Sequence, residues 1–198
     1  DIFAIMKPAK SVGGDFYDVF LVGENRIAVL IGDVADKGVP SAIFMARVHA
    51  LIMAEADAFP TPEKVLRKVN AHVTRLEKST QFVTALYGIL DCATGDFEYA
   101  RAGHEPPLLL TPAGVRRLPH GPGMALGLWE EITLDVGRVH LAPGDSLLLY
   151  TDGMTDCRDP QGEAFGLERI QDAFFNLRGL PAQEVCERLL KTLLDYQQ

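Results

Sequence analysis

The chain has 198 residues, of which 47% are hydrophobic and 23% charged, and its formal net charge is −8. That is the make-up of one globular domain with a sizeable core. The acidic balance argues against nucleic acid as the main partner, because a phosphate backbone calls for clustered Lys and Arg, and fits a protein kept in solution by a mildly acidic surface.

Ile2 to Met6 reads as a short strand, followed by a connection through Val12 that contains Pro8. Gly13, Gly14 and Asp15 then lead into a strand from Phe16 to Leu21. Gly23-Glu24-Asn25 turns it back into Ile27 to Ile31, five apolar residues that mark a buried strand ending at Gly32. After Gly38, Pro40 and Ser41 open a helix to about Ala56, apolar nearly all round and so expected to be buried on more than one side. Thr61 caps a second helix, to about Lys78, in which Val65, Leu66, Val69, Val73 and Leu76 repeat at helical spacing. Short strands follow in hairpin order: Phe82 to Leu90, Phe97 to Ala102, Pro107 to Leu110, Val115 to Leu118, Glu131 to Leu141 and Ser146 to Tyr150. Helices from Leu167 to Leu177 and from Pro181 to about Tyr196 close the chain. Many short strands joined by hairpin signals predict an α+β fold with two packed antiparallel sheets. The elements interleave too closely for an internal boundary, so residues 1–198 read as a single domain.

Three aspartates share one setting. Asp33 follows the strand 27–31, Asp152 follows the strand 146–150, and Asp15 precedes the strand 16–21, each beside a glycine. Carboxylates gathered at strand ends suit Mg²⁺ or Mn²⁺, which take oxygen ligands and keep several waters. Each aspartate alone is equally at home in ordinary turn chemistry. Cys92, Cys157 and Cys186 are scattered without CxxC spacing and the five histidines lack ligand spacing, so neither a disulfide framework nor structural zinc is expected. A reducing cytoplasm is the expected compartment. No apolar run approaches a membrane span, and no signal peptide is visible. The chain opens on Asp1 rather than Met, as a segment cut from a longer regulatory protein would.

Six motifs stand in order: VGGDFYD (Val12 to Asp18), GDVADKG (Gly32 to Gly38), AGHEPPL (Ala102 to Leu108), ALGL (Ala125 to Leu128), GDSLLLYTDG (Gly144 to Gly153), and Phe165-Gly166 two turns before a helix. Together they resemble the SpoIIE-like, RsbU-type bacterial branch of the PPM, or protein phosphatase 2C-like, Ser/Thr phosphatases. The resemblance implies a four-layer α/β/β/α sandwich, two antiparallel sheets flanked by helices. It implies two Mn²⁺ or Mg²⁺ ions, with Asp15 on one, Asp33 bridging both, the Val34 carbonyl helping to hold the first, and Asp152 on the second. A water shared by the two cations would then attack phosphorus directly, without a phosphoenzyme. The implied substrate is a phosphorylated STAS-domain anti-sigma-factor antagonist, and the implied partners are an upstream sensor or receiver domain and a second copy of the chain. The alternative is a catalytically silent adaptor of the same fold that binds a regulator.

Other motif residues carry weaker expectations. Asp18 holds water on a metal or makes a strand-start hydrogen bond. Asp36 lies near the carboxylates, or serves a turn or the cap of the following helix. Lys37 meets substrate phosphate or is a solvated loop lysine. His104 is read as structural and His49 as a satisfied core histidine. The family's closing Asp-Asp-x-Thr segment is not within the 198 residues, and Asp195, in a helical stretch, does not replace it. The second ion would then have only Asp33 and Asp152 from this chain, and weak activity is expected of it alone.

Overall fold

Alternation along the strands decides which face each residue serves. In β2 (Arg26–Val34), Ala28, Leu30, Gly32 and Val34 are buried, while Ile27, Val29, Ile31 and Asp33 between them are partly covered. The strand pairs antiparallel with β1 (Phe16–Leu21) and with β3 (Val83–Asp91), in a register that sets Leu30 beside Tyr87 and Asp33 beside Thr84. β4 (Asp96–Ala102) and β7 (Asp135–His140) complete a five-stranded sheet of order β1-β2-β3-β4-β7. Gly32 is required by close approach: a Cβ there would lie 2.6 Å from the Phe16 ring and 2.9 Å from the Thr84 carbonyl. These are observations on a computed structural model that describes residues 1–7, 13–76 and 81–198, the side chain of Leu76 excepted.

This sheet belongs to a unit made of residues 8–104 and 119–141. One of its faces carries α1 (Val39–Ala56) and α2 (Pro62–Leu76). Phe44, Val48 and Ile52 of α1 and Val65, Leu66 and Val69 of α2 close a core with Leu30, Val34, Val83 and Tyr87. The buried residues of α1 are Ser41, Phe44, Val48, Ile52 and Ala56, a single stripe at helical spacing. The expectation that α1 is buried on more than one side is therefore corrected: Val39 and Ile43 are 64% and 59% exposed on its outer side. By length and composition α1 could cross a bilayer, contrary to the sequence estimate, but its buried stripe and its polar Arg47, His49 and Glu55 place it as a helix of this unit.

A second unit comprises residues 1–7, 105–118 and 142–198. Its sheet has order β6-β5-β8, with β5 (Leu108–Thr111), β6 (Gly114–Arg117) and β8 (Ser146–Leu148). The helices are α3 (Asp152–Thr155), α4 (Gly166–Asn176) and α5 (Ala182–Tyr196). Leu108 and Leu110 pack with Tyr150, Phe165, Ile170 and Phe174, and with Val185, Leu189 and Leu193 of α5. The α+β class with two antiparallel sheets flanked by helices is thus as expected.

Several boundaries differ from the sequence reading. Ile2 to Met6 is not a strand; the segment is tied by Asp1, whose Oδ2 accepts the Ala182 N–H at 2.8 Å, and by the Phe3 carbonyl, which faces the Cys186 thiol at 3.8 Å. β2 runs on through Asp33 to Val34 instead of stopping at Gly32, because Asp33 and Val34 still pair with Thr84 and Val83. Residues 131–134 lie outside β7, and Phe165 is the cap of α4 itself rather than two turns ahead of it. The connection 8–12, with Val12 of the first motif, and the end of the second helix at residues 77–78 fall outside the described residues.

Candidate functional site

Asp33 is the next-to-last residue of β2 and lies on the face of the sheet away from α1 and α2. Its neighbour across β1 follows from register. Phe16 pairs with Gly32, and the Val34 N–H donates to the Gly14 carbonyl at 3.3 Å, so Asp15 falls opposite Asp33. Directly opposed residues on antiparallel strands have Cβ atoms about 5 Å apart, and like charges there are unfavourable without a cation. The Val34 carbonyl sits against Gly14, where a Cβ would meet it at 2.7 Å, so only glycine leaves that oxygen room. Two carboxylates and a carbonyl on adjoining rungs form a hard oxygen set that suits Mg²⁺ or Mn²⁺, which bind through one or two carboxylates and retain waters. Among the described residues no three His, Cys, Asp or Glu side chains cluster as a larger metal cage would need.

The loop after the rung is held from both ends. The Ala35 N–H donates to the Phe82 carbonyl at 2.9 Å, and the Ala35 carbonyl accepts from the buried Ser41 hydroxyl at 3.3 Å. Asp36 takes a left-handed backbone, φ +71°, which Asp tolerates better than most side chains. Gly38, not Asp36, occupies the N-cap of α1, so the capping role expected for Asp36 is corrected. Asp36 and Lys37 are both exposed.

Asp18 takes the strand-start role. Its Oδ1 accepts the Val19 N–H at 2.7 Å, and its Oδ2 pairs with His49 Nε2 of α1 at 2.7 Å. Asp18 alternates with Tyr17 and shares the helix-covered face with Phe16 and Phe20, opposite to Asp15 and Asp33. It therefore fastens α1 to β1 and is not placed to hold water at the rung. His49 is half-buried and satisfied by this pair.

Asp152 lies in the second unit. It is an exposed residue that opens α3, four residues beyond the end of β8 rather than at the strand's end, and its carbonyl accepts the Asp156 N–H and the Thr155 hydroxyl.

Thr84 and Arg101, beside the rung, were missed from the sequence, while His104 was read there as structural. Thr84, the cross-strand neighbour of Asp33, has its hydroxyl 3.4 Å from the Asp33 carbonyl and 3.0 Å from His104 Nδ1. His104 is 4% exposed, and its carbonyl accepts from Arg101 Nη1 at 2.5 Å. Arg101 is itself buried, paired with Asp135 at 2.9 Å and donating to the Gly121 carbonyl at 2.7 Å. The signal was present: Thr84 is the single aliphatic hydroxyl in FVTALYGIL, and Arg101 the single charge in YARAG.

The family profile of Stage II sporulation protein E (SpoIIE) matches residues 23–198. The chain belongs to the SpoIIE family. It is similar to the protein IcfG of Synechocystis sp. (strain ATCC 27184 / PCC 6803 / Kazusa), with 32% identity over 86% of this chain and 31% of that one. It is similar also to the phosphoserine phosphatase RsbU of Bacillus subtilis (strain 168), with 30% identity over 100% of this chain and 58% of that one. The chain thus spans less than two thirds of either relative. Among solved structures, the SiaA-PP2C domain of Pseudomonas aeruginosa superposes with a TM-score of 0.86 at 26% identity, covering 96% of this chain and 77% of that one. RsbX in complex with magnesium superposes with a TM-score of 0.69 over 98% of this chain and 85% of that one; at 16% identity that likeness is one of fold. Over residues 23–198 the chain is thus a SpoIIE-family domain with the fold of the PP2C-like domains.

Proposed function

We propose that the chain hydrolyses phosphoserine or phosphothreonine on a regulatory protein, with Mn²⁺ or Mg²⁺ at the Asp15–Asp33 rung. The observation that carries this reading is the placing of those two carboxylates opposite one another beside the Val34 carbonyl, in a chain of this family. A divalent cation bound there supplies positive charge for phosphoryl oxygens and makes water a stronger acid. The protein's part is to hold Asp15 and Asp33 as anions on paired strands, to keep the Val34 oxygen clear through Gly14, and to fix the 35–41 loop through Ser41. Asp152 is assigned to a second ion on the family resemblance alone.

The substrate we favour is a phosphorylated STAS-type antagonist in bacterial sigma-factor control, in the cytoplasm, with an upstream sensor or receiver domain and a second copy of the chain as regulators. The likeness to RsbU, a phosphoserine phosphatase, supports the phosphoserine part of this reading. The test is phosphate release from a phosphoserine STAS protein with Mn²⁺ and then with excess EDTA. Release that stops with EDTA and returns with Mn²⁺ is expected. Binding of the phosphoprotein without any turnover at saturating Mn²⁺ would instead establish the silent adaptor.

A further inference from the structure

We propose that Thr84 and His104 are a positioning pair for the Asp33 rung, and that His104 carries its proton on Nδ1. The inference deepens the phosphatase reading and rests on it for its consequence, though not for its geometry.

One hydrogen decides the pairing. The Thr84 hydroxyl is within reach of two groups, the Asp33 carbonyl at 3.4 Å and His104 Nδ1 at 3.0 Å. A hydroxyl donates once. The Asp33 carbonyl can only accept, so the Thr84 hydrogen must be spent there if that contact is a bond. His104 Nδ1 must then be the donor, and Thr84 Oγ1 the acceptor. Both contacts are satisfied together by the Nδ1–H form and by no other neutral form. With the proton on Nε2, Thr84 would turn its hydrogen to Nδ1, and two oxygens, Thr84 Oγ1 and the Asp33 carbonyl, would face each other without one.

The imidazole is held for this task from its own backbone. Its carbonyl is fixed by Arg101, and Arg101 is fixed by Asp135 and the Gly121 carbonyl, all within the same unit as the rung. Thr84 is fixed by the β2–β3 ladder, directly across from Asp33. The line Asp135–Arg101–His104–Thr84–Asp33 therefore ends on the main chain of the residue proposed to hold the cation. Groups that orient a metal-holding carboxylate set its affinity, and their loss typically weakens binding by about tenfold or more.

The test has three readouts on the intact chain. Nitrogen-15 NMR of the histidine rings in the wild-type protein is expected to show His104 protonated on Nδ1. Calorimetric titration with Mn²⁺ is expected to give about tenfold weaker binding for Thr84→Val, which keeps the shape and removes the hydroxyl, and wild-type binding for Thr84→Ser. His104→Asn, which can still donate from near the Nδ1 position, is expected to bind Mn²⁺ more tightly than His104→Ala, and KM for the phosphoprotein is expected to change little in any of them. An Nε2–H ring, or Thr84→Val binding Mn²⁺ as the wild type does, overturns the proposal. Should Thr84→Val melt before it can be titrated, the ring proton in the wild type decides. A wild-type chain that takes up no Mn²⁺ overturns the phosphatase reading instead, and the NMR result still decides the hydrogen-bonded pair.

Discussion

At the scale of single residues, the two faces of one sheet set opposite demands. On the helix-covered face, Tyr87 is fully buried and its hydroxyl has no hydrogen-bond partner among the described residues. Burial, and secondarily the nearby Asp57 carboxylate, push its pKa up to about 12. The sign follows directly. The unfolded phenol ionises near pH 10, the folded one about two units higher, so folding retains a proton that the unfolded chain releases. The stability this contributes is intact below pH 10 and is lost as pH rises from about 10 to 12, to the extent of roughly 2–3 kcal/mol. Tyr87→Phe is expected to be as stable as the wild type or more so at pH 7, because it removes an unsatisfied polar atom of a kind that costs about 1–3 kcal/mol. It is also expected to lose less stability between pH 10 and 12, which urea unfolding at a series of pH values will read. On the other face Asp15, Asp33 and Thr84 form the polar row. Their roles could not be assigned singly from sequence: an Asp beside a Gly is a turn signal as often as a ligand, and only the register shows which aspartates are opposed. Asp18 illustrates the converse, since its place in the motif suggested the site and strand alternation turned it to α1.

At the scale of elements, hairpins and amphipathic helices were legible because turn residues and apolar spacing are local. Gly23-Glu24-Asn25 led correctly to the β1–β2 pair, and the helical spacing of Val65, Leu66, Val69 and Val73 to the buried face of α2. Ile2 to Met6 was misread because its apolar spacing fits a strand while its hydrogen bonds go to α5. The helix α1 was misread because its composition has too little contrast to reveal a face; only packing separates Phe44, 2% exposed, from Ile43, 59% exposed. That separation makes a prediction. Phe44→Asp is expected to cost at least about 3–5 kcal/mol, through the cavity and the buried charge, and to lower the melting temperature sharply. Ile43→Glu is expected to melt as the wild type does. If the outer side of α1 is the face on which two copies meet, Ile43→Glu will also shift the chain toward monomer in sedimentation velocity. A destabilised Ile43→Glu would show that the outer side is core.

At the scale of the whole molecule, a chain of net charge −8 is proposed to act on a phosphoryl group, which is itself anionic. Long-range attraction cannot supply that encounter, so local positive charge must. The opposed aspartates make sense in those terms: they concentrate negative charge where a divalent cation then reverses its sign. Removing one of them while keeping its shape tests this most directly. The measurement is Mn²⁺-dependent phosphate release from a phosphoserine protein by the wild type and by Asp33→Asn, with circular dichroism confirming that both are folded. The account predicts that the folded Asp33→Asn chain has no measurable Mn²⁺-dependent activity. Activity within a few-fold of the wild type would contradict it.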